Sequence, residues 1–161
     1  MNLVSRLARV AGMVVVIGFA ACASPPPPPP PPPKPTIIQV AVDAQANVNP
    51  DSRGRPSPVV VRFYELKSLA TFNDADFFSI YERDKETLGT DMLAREEFQL
   101  MPGDKRQFQR PTQPDTRYVG VVAAFRDLER AQWRATLVVP LHQTTPMVIK
   151  LDGSRVSLGA G

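Results

Sequence analysis

The chain has one cysteine, one histidine and one tryptophan in 161 residues. A lone histidine and a lone thiol leave too few parts for a Ser-His-Asp or Cys-His triad or for a zinc site. No serine sits in a glycine-bracketed elbow and no glycine-rich phosphate loop is present. Glu96 and Glu97 are adjacent and would point to opposite faces of a strand, which makes them a poor general acid and base pair. His142, between Leu141 and Gln143 at the end of an apolar run, reads as a surface or hydrogen-bonded structural residue. The chain is therefore expected not to be an enzyme and to carry no cofactor and no metal. Charge of one sign is also scarce. The formal +3 includes Arg6 and Arg9, and without them 17 basic side chains face 16 acidic ones. No basic patch is visible in the order of the charges, so no nucleic acid is expected as a partner.

What is present begins at the N-terminus. Arg6 and Arg9 precede an apolar run from Val10 to Ala21, too short to span a bilayer as a helix, and the run ends in Phe19-Ala20-Ala21-Cys22. Small residues immediately before a cysteine suit a lipoprotein signal peptidase, so residues 1–21 read as a signal peptide and Cys22 as the lipidated residue. Export implies an oxidising compartment, where thiols serving stability would come in pairs. The single thiol is expected to serve acylation alone. No Asp follows Cys22 to favour inner-membrane retention, so an outer-membrane lipid anchor facing the periplasm is expected. Several acyl chains, at about 0.8 kcal/mol per buried methylene, make such an anchor effectively permanent.

Nine consecutive prolines, Pro25 to Pro33, follow with Lys34 and Pro35. Such a stretch has almost no backbone donors and prefers polyproline II, so residues 22–35 read as a stalk in which the eleven residues from Pro25 to Pro35 span roughly 34 Å. Residues 36–161 remain, enough for one domain with its own core. Period-two runs predict strands at Ile38-Val40-Val42, from Val59 through Leu66, and at Trp133-Ala135-Leu137-Val139-Leu141, while Tyr118 to Phe125, apolar on both faces, reads as a central strand. Asp152-Gly153 predicts a type I′ hairpin turn and Pro102-Gly103 a second hairpin. About eight short strands predict an antiparallel sandwich. One helix interrupts it, with Asn73 as the predicted cap, Phe72 and Phe77 at staple positions, Phe77, Ile80 and Tyr81 sharing the packed face, and Gly89 as the stop. Asp127, Glu129 and Arg130 read as a solvated charged turn.

Ala44 to Pro58 is far longer than a turn between strands requires, and long loops in compact domains are commonly functional. Here a resemblance becomes specific. Asn49-Pro50-Asp51 with Gly54-Arg55-Pro56-Ser57-Pro58-Val59-Val60-Val61-Arg62-Phe63-Tyr64-Glu65-Leu66 resembles the type VI secretion lipoprotein family, TssJ (VasD, SciN). So do Ala75-Asp76-Phe77-Phe78-Ser79-Ile80-Tyr81 with Thr87-Leu88-Gly89, Arg95-Glu96-Glu97-Phe98 with Pro102-Gly103, and Tyr118 to Leu128 with Trp133-Arg134. The matches run in order over nearly all of Thr36 to Leu158. The resemblance implies an all-β, two-sheet transthyretin-like β-sandwich of about eight strands with one added short helix region. It also implies an outer-membrane role in which the domain binds the periplasmic C-terminal domain of TssM, and TssL indirectly, to assemble the envelope-spanning complex. The family's contact region falls on Ala44 to Ser57, where Asn47, Asn49, Asp51, Arg53 and Arg55 are the expected partner-binding residues; were the loop not to carry the contact, the Phe72 to Glu82 helix or the Arg126 to Arg130 turn would be the next surface. Because a surface loop contributes little core burial, shortening Asn47 to Arg53 is expected to leave the melting temperature nearly unchanged. The alternative reading is a periplasm-facing lipoprotein that binds a small ligand or peptidoglycan in a pocket of a few hundred cubic ångströms.

Overall fold

The computed structural model describes residues 29–161, and the expected signal peptide, the expected lipidation site Cys22 and the start of the proline run lie outside that range. Eight strands form two four-stranded sheets. One sheet has the order β4-β1-β7-β8, built from β1 (Ile37–Ala44), β4 (Lys105–Pro111), β7 (Thr144–Asp152) and β8 (Arg155–Ala160). The other has the order β3-β2-β5-β6, built from β2 (Val59–Leu66), β3 (Met92–Leu100), β5 (Tyr118–Ala124) and β6 (Arg134–Val138). The expected two-sheet sandwich with an added helical region is thus the architecture.

Alternation places the core. Ile38, Val40 and Val42 of β1 point between the sheets and meet Val59, Val61 and Phe63 of β2, Val119 and Val121 of β5, and Met147, Ile149 and Leu151 of β7. Burying each such side chain contributes about 1.5–3 kcal/mol. The opposite face of the β2 sheet is apolar too, with Tyr64, Leu66 and Val122, and needs a cover. Two helices supply it, α1 (Ala70–Asp74) and α2 (Phe77–Leu88). Phe72, Phe77 and Ile80 are buried there, Phe77 stacks on Tyr81 at 5.0 Å and meets Trp133 edge-on at 5.3 Å. Gly120 lets this layer close, because a Cβ on it would lie 2.7 Å from the Phe72 ring and 2.9 Å from Leu66. β5 is therefore buried on both faces, as its unbroken apolar run predicts.

Arg62 and Arg95 lock the helix from the sheet side. Arg62 lies 4.1 Å over the Tyr81 ring, donates to the Tyr81 carbonyl and pairs with Glu97 at 2.6 Å, while Arg95 pairs with Asp84 at 2.6 Å. Glu96 faces the other way and meets Arg110 at 2.5 Å. Arg110 also reaches buried Glu65 at 3.1 Å, which ties the two sheets together.

Several local expectations are corrected. The sandwich is not antiparallel throughout, since β1 and β7 pair in parallel. β6 ends beside the start of β5, at the pole where β1 begins, so β7 must run in the same direction as β1. Pro102-Gly103 does not close a hairpin. It carries the chain from β3 in one sheet to β4 in the other, with Gly103 at φ +86° and its N–H bonded to the Ala44 carbonyl at 3.0 Å. The helix cap is Asp76 and not Asn73: the Asp76 carboxylate accepts from the Ser79 N–H at 3.0 Å and from its hydroxyl at 2.6 Å. Asn73 lies inside the separate short helix α1. Gly89, at φ +50°, ends α2 as expected, its N–H bonded to the Lys85 carbonyl. In the last hairpin Asp152 pairs with Arg155, so the two loop residues are Gly153 and Ser154. Gly153 alone takes positive φ, the pattern of a II′ turn and not I′. Finally, β6 stops at Val138, and Leu141 lies outside it in a turn.

Candidate protein-contact surface

Beside the β3–β4 connection at Pro102-Gly103, strand direction gathers three further loops at one pole of the sandwich. Ala44 at the end of β1 pairs with Leu151 near the end of β7, and Val60 at the start of β2 pairs with Ala124 at the end of β5. The β1–β2 loop (45–58), the β5–β6 turn (125–133) and the β7–β8 turn (Gly153-Ser154) therefore emerge together.

The long loop is built rather than slack. Val48 is fully buried in the core between the sheets. Asn49 is 3% exposed and adopts φ +49°, a left-handed conformation that asparagine tolerates better than most residues. Its Nδ2 donates to the Pro58 carbonyl at 2.6 Å, its Oδ1 accepts from the Arg126 N–H at 2.8 Å, and its own N–H donates to the Gly153 carbonyl at 2.8 Å. One side chain and its backbone thus bind all three loops to each other. Asn47 adds a bond from Nδ2 to Asp152 Oδ1 at 2.9 Å.

Beyond Asn49 the loop folds on Asp51. Its Oδ1 accepts from the N–H groups of Arg53 at 2.8 Å and Arg55 at 3.0 Å, while Oδ2 receives the Arg55 guanidinium at 2.7–2.8 Å. The Arg55 N–H and then its guanidinium hold the Asp51 carboxyl below the ordinary carboxylate value, with the Arg53 N–H and the nearby charge of Arg126 adding to the effect. Asp51 is therefore ionised and already paired at neutral pH. Arg53, Arg55 and Asn47 are exposed.

Of the five expected contact residues, the structure brings all to this pole but divides their work. Asn47, Arg53 and Arg55 face solvent, Asp51 shapes the turn, and Asn49 is an internal latch whose side-chain amide and backbone N–H are engaged. A neighbouring segment stands beside them, the turn at Arg126 to Arg130, which the sequence reads first as a solvated turn and otherwise as a fallback contact surface. An open cleft of about 620 Å³ is lined by Pro50, Asp51 and Ser52 from the long loop, by Arg126, Asp127 and Arg130 from the β5–β6 turn, and by Ser154. No periodicity marks that turn, because its place is set by the direction of β5.

Elsewhere, His142 sits at the opposite pole with φ +60°, its Nδ1 2.9 Å from the Lys34 carbonyl and its N–H on the Thr36 hydroxyl. A second groove of about 460 Å³ runs over the outer face of the β1 sheet and is lined by Gln39, Ala41, Gln107, Gln109, Pro146 and Val148 among others, with no charged side chain. Gln39 donates to Gln109 at 2.9 Å, so two of its amides bond to each other. Among the described residues no group of three or more His, Cys, Asp or Glu side chains could hold a metal ion.

Residues 36–154 match the family described as type VI secretion lipoprotein, VasD, EvfM, TssJ. No curated protein matches the chain. Among solved structures, the chain is similar to the type VI secretion lipoprotein TssJ1 from Pseudomonas aeruginosa, with 38% identity, a TM-score of 0.77, and 79% of this chain and 97% of that one covered. It is similar to Serratia marcescens Lip, a membrane-bound component of the type VI secretion system, at 29% identity and a TM-score of 0.69, covering 79% and 96%. A chain of the structure described as the type VI protein TssM C-terminal domain (869–1107) from EAEC matches at 26% identity and a TM-score of 0.64, covering 78% and 98%.

Proposed function

The chain belongs to the type VI secretion lipoprotein family, and from that premise we propose that it is anchored in the outer membrane through Cys22 and binds the periplasmic C-terminal domain of TssM. In this reading residues 1–21 are removed, residues 22–35 form the acylated tether, and residues 36–161 are a structural joint and not a catalyst. TssL is reached only through TssM. Together these contacts help build the envelope-spanning complex.

The observation that carries the reading is the pre-formed loop pole. Docking costs side-chain and loop ordering, about 0.5–1.5 kcal/mol for each flexible side chain immobilised. A loop pinned by Val48, Asn49 and the Asp51 turn has met much of that cost on folding. Its exposed rim of Asn47, Arg53 and Arg55 offers donors to a partner without disturbing the latch beneath. The match to a chain of the structure described as the type VI protein TssM C-terminal domain supports the choice of partner.

The test replaces Pro50 to Arg55 with a two-residue Gly-Ser link and leaves Val48, Asn49 and Ser57 in place. Isothermal calorimetry against the purified TssM C-terminal domain should show binding lost, with the thermal midpoint lowered by only a few degrees. Undiminished affinity would overturn the loop assignment and move the contact to another surface, such as α2.

A further inference from the structure

On the footing of that reading, we infer that the contact surface is the cleft between the three loops, not the β1–β2 loop alone, and that it seats a carboxylate side chain of the partner against Arg126. The charges lining the cleft decide this. Asp51 is matched by Arg55 at 2.7 Å and by two backbone N–H groups. Asp127 is matched by Arg130 at 3.7 Å, a long and solvent-exposed pair. Arg126 is exposed, and among the described residues no carboxylate lies within ion-pair distance of its guanidinium. With Arg55 counted, the cleft is left with one cation in excess, Arg126, whose charge reaches Asp51 only from beyond ion-pair distance, beside an Arg130 whose own partner is weakly held. A guanidinium offers a planar fork of donors that a carboxylate meets in two parallel bonds.

Arg126 is also positioned for the task. Its backbone N–H is fixed to Asn49 Oδ1 at 2.8 Å, so the root of the side chain moves with the β1–β2 loop although the two are 77 residues apart. The same asparagine holds the Gly153 carbonyl and with it the Ser154 lip. A partner side chain entering the cleft therefore touches three chain segments that already behave as one.

Strand geometry favours a protein carboxylate over an anionic lipid of the anchoring membrane. The tether joins the domain at Thr36, and β1 then runs eight residues to the loop pole. At ~3.3 Å per residue the cleft lies about 26 Å away along the strand, at the pole opposite the tether.

The experiment titrates the detergent-solubilised full chain with the purified TssM C-terminal domain at low and high NaCl. Arg126→Glu should weaken binding about a hundredfold and Arg126→Ala about tenfold, while Arg126→Lys stays within about threefold of the original. Arg126→Ala should also flatten the salt dependence. Because the side chain is exposed, thermal midpoints should not move. Arg126→Glu binding as tightly as the original chain would overturn the inference while leaving the loop reading intact. No binding by the unsubstituted chain would overturn that reading, and the inference with it.

Discussion

Asn49 does more for the loop pole than any exposed residue around it. Replacing it with alanine would leave the part-buried Arg126 N–H and Pro58 carbonyl without a protein partner, and would place a side chain with no compensating bond at φ +49°. Unmet buried groups cost about 1–3 kcal/mol each, and the left-handed conformation about 1–2 kcal/mol more. Asn49→Ala is therefore expected to lower stability by about 3 kcal/mol and to weaken TssM binding. Urea unfolding should show the midpoint fall at constant slope, and a change under about 0.5 kcal/mol would show that the loops do not depend on the latch. Tyr64 makes a different contribution. Its ring is fully buried against Phe72, and burial pushes its phenol up to about 12 from 10.0. The raised value means that the folded chain keeps its proton where the unfolded chain loses it. The Tyr64 contribution is thus complete below pH 10 and is lost as pH rises from about 10 toward 12. Denaturation measured across that window should show stability falling with pH, and Tyr64→Phe should reduce the slope. An unchanged slope in the phenylalanine variant would assign the fall to other groups.

Among the elements, β1, β2 and β5 were legible because period-two alternation, or its absence in a strand buried twice, survives in sequence. The pairing of those strands was not. Pro102-Gly103 announces a turn, but nothing in those two residues says whether the next strand joins the same sheet. That depends on Leu100 and Lys105 meeting Val59 and Asp43 in different layers. The cap was misplaced for a similar reason. Asn73 and Asp76 are both good caps, and the choice is made by where Phe72 and Phe77 must bury, which splits the segment into two helices. In the β1–β2 loop, residue types and length single out the region proposed for partner contact, while the latch role of Asn49 and the joining of the Arg126 turn to that loop arise only from tertiary bonds. Val48 was the misleading residue, a core side chain within a loop taken as surface. Deleting Asn47 to Arg53 should therefore not leave the melting temperature unchanged. It removes Val48, worth about 1.5–3 kcal/mol of burial, together with the Asn49 latch, and should unfold the chain several degrees lower than the Pro50 to Arg55 replacement does. Equal midpoints for the two would show that the loop's inner rim adds nothing to the core.

At the scale of the whole sandwich, the chain enters at Thr36 before β1 and the loops emerge at the other pole, so under the proposed anchoring the proline run would stand behind the end farthest from them. That arrangement gives the proline run a purpose that affinity measurements cannot detect. Nine prolines in polyproline II extend about 28 Å, whereas nine residues of a Gly-Ser coil have a root-mean-square span of only about 17 Å. Exchanging Pro25 to Pro33 for such a coil changes no residue of the sandwich, so calorimetric affinity for the TssM domain should stay the same. Secretion by intact cells should fall, because the loop pole would be held nearer the outer membrane and would meet its partner less often. Cys22→Ser supplies the other limit. Without the acyl acceptor the domain should fold and bind in solution, yet leave the membrane fraction or persist as an uncleaved precursor. The two variants separate reach from anchorage: the coil variant must remain in the outer-membrane fraction, and the serine variant must not. If the coil variant, or a chain lacking the nine prolines, secretes as well as the original, stand-off from the membrane plays no part in the work of the loop pole.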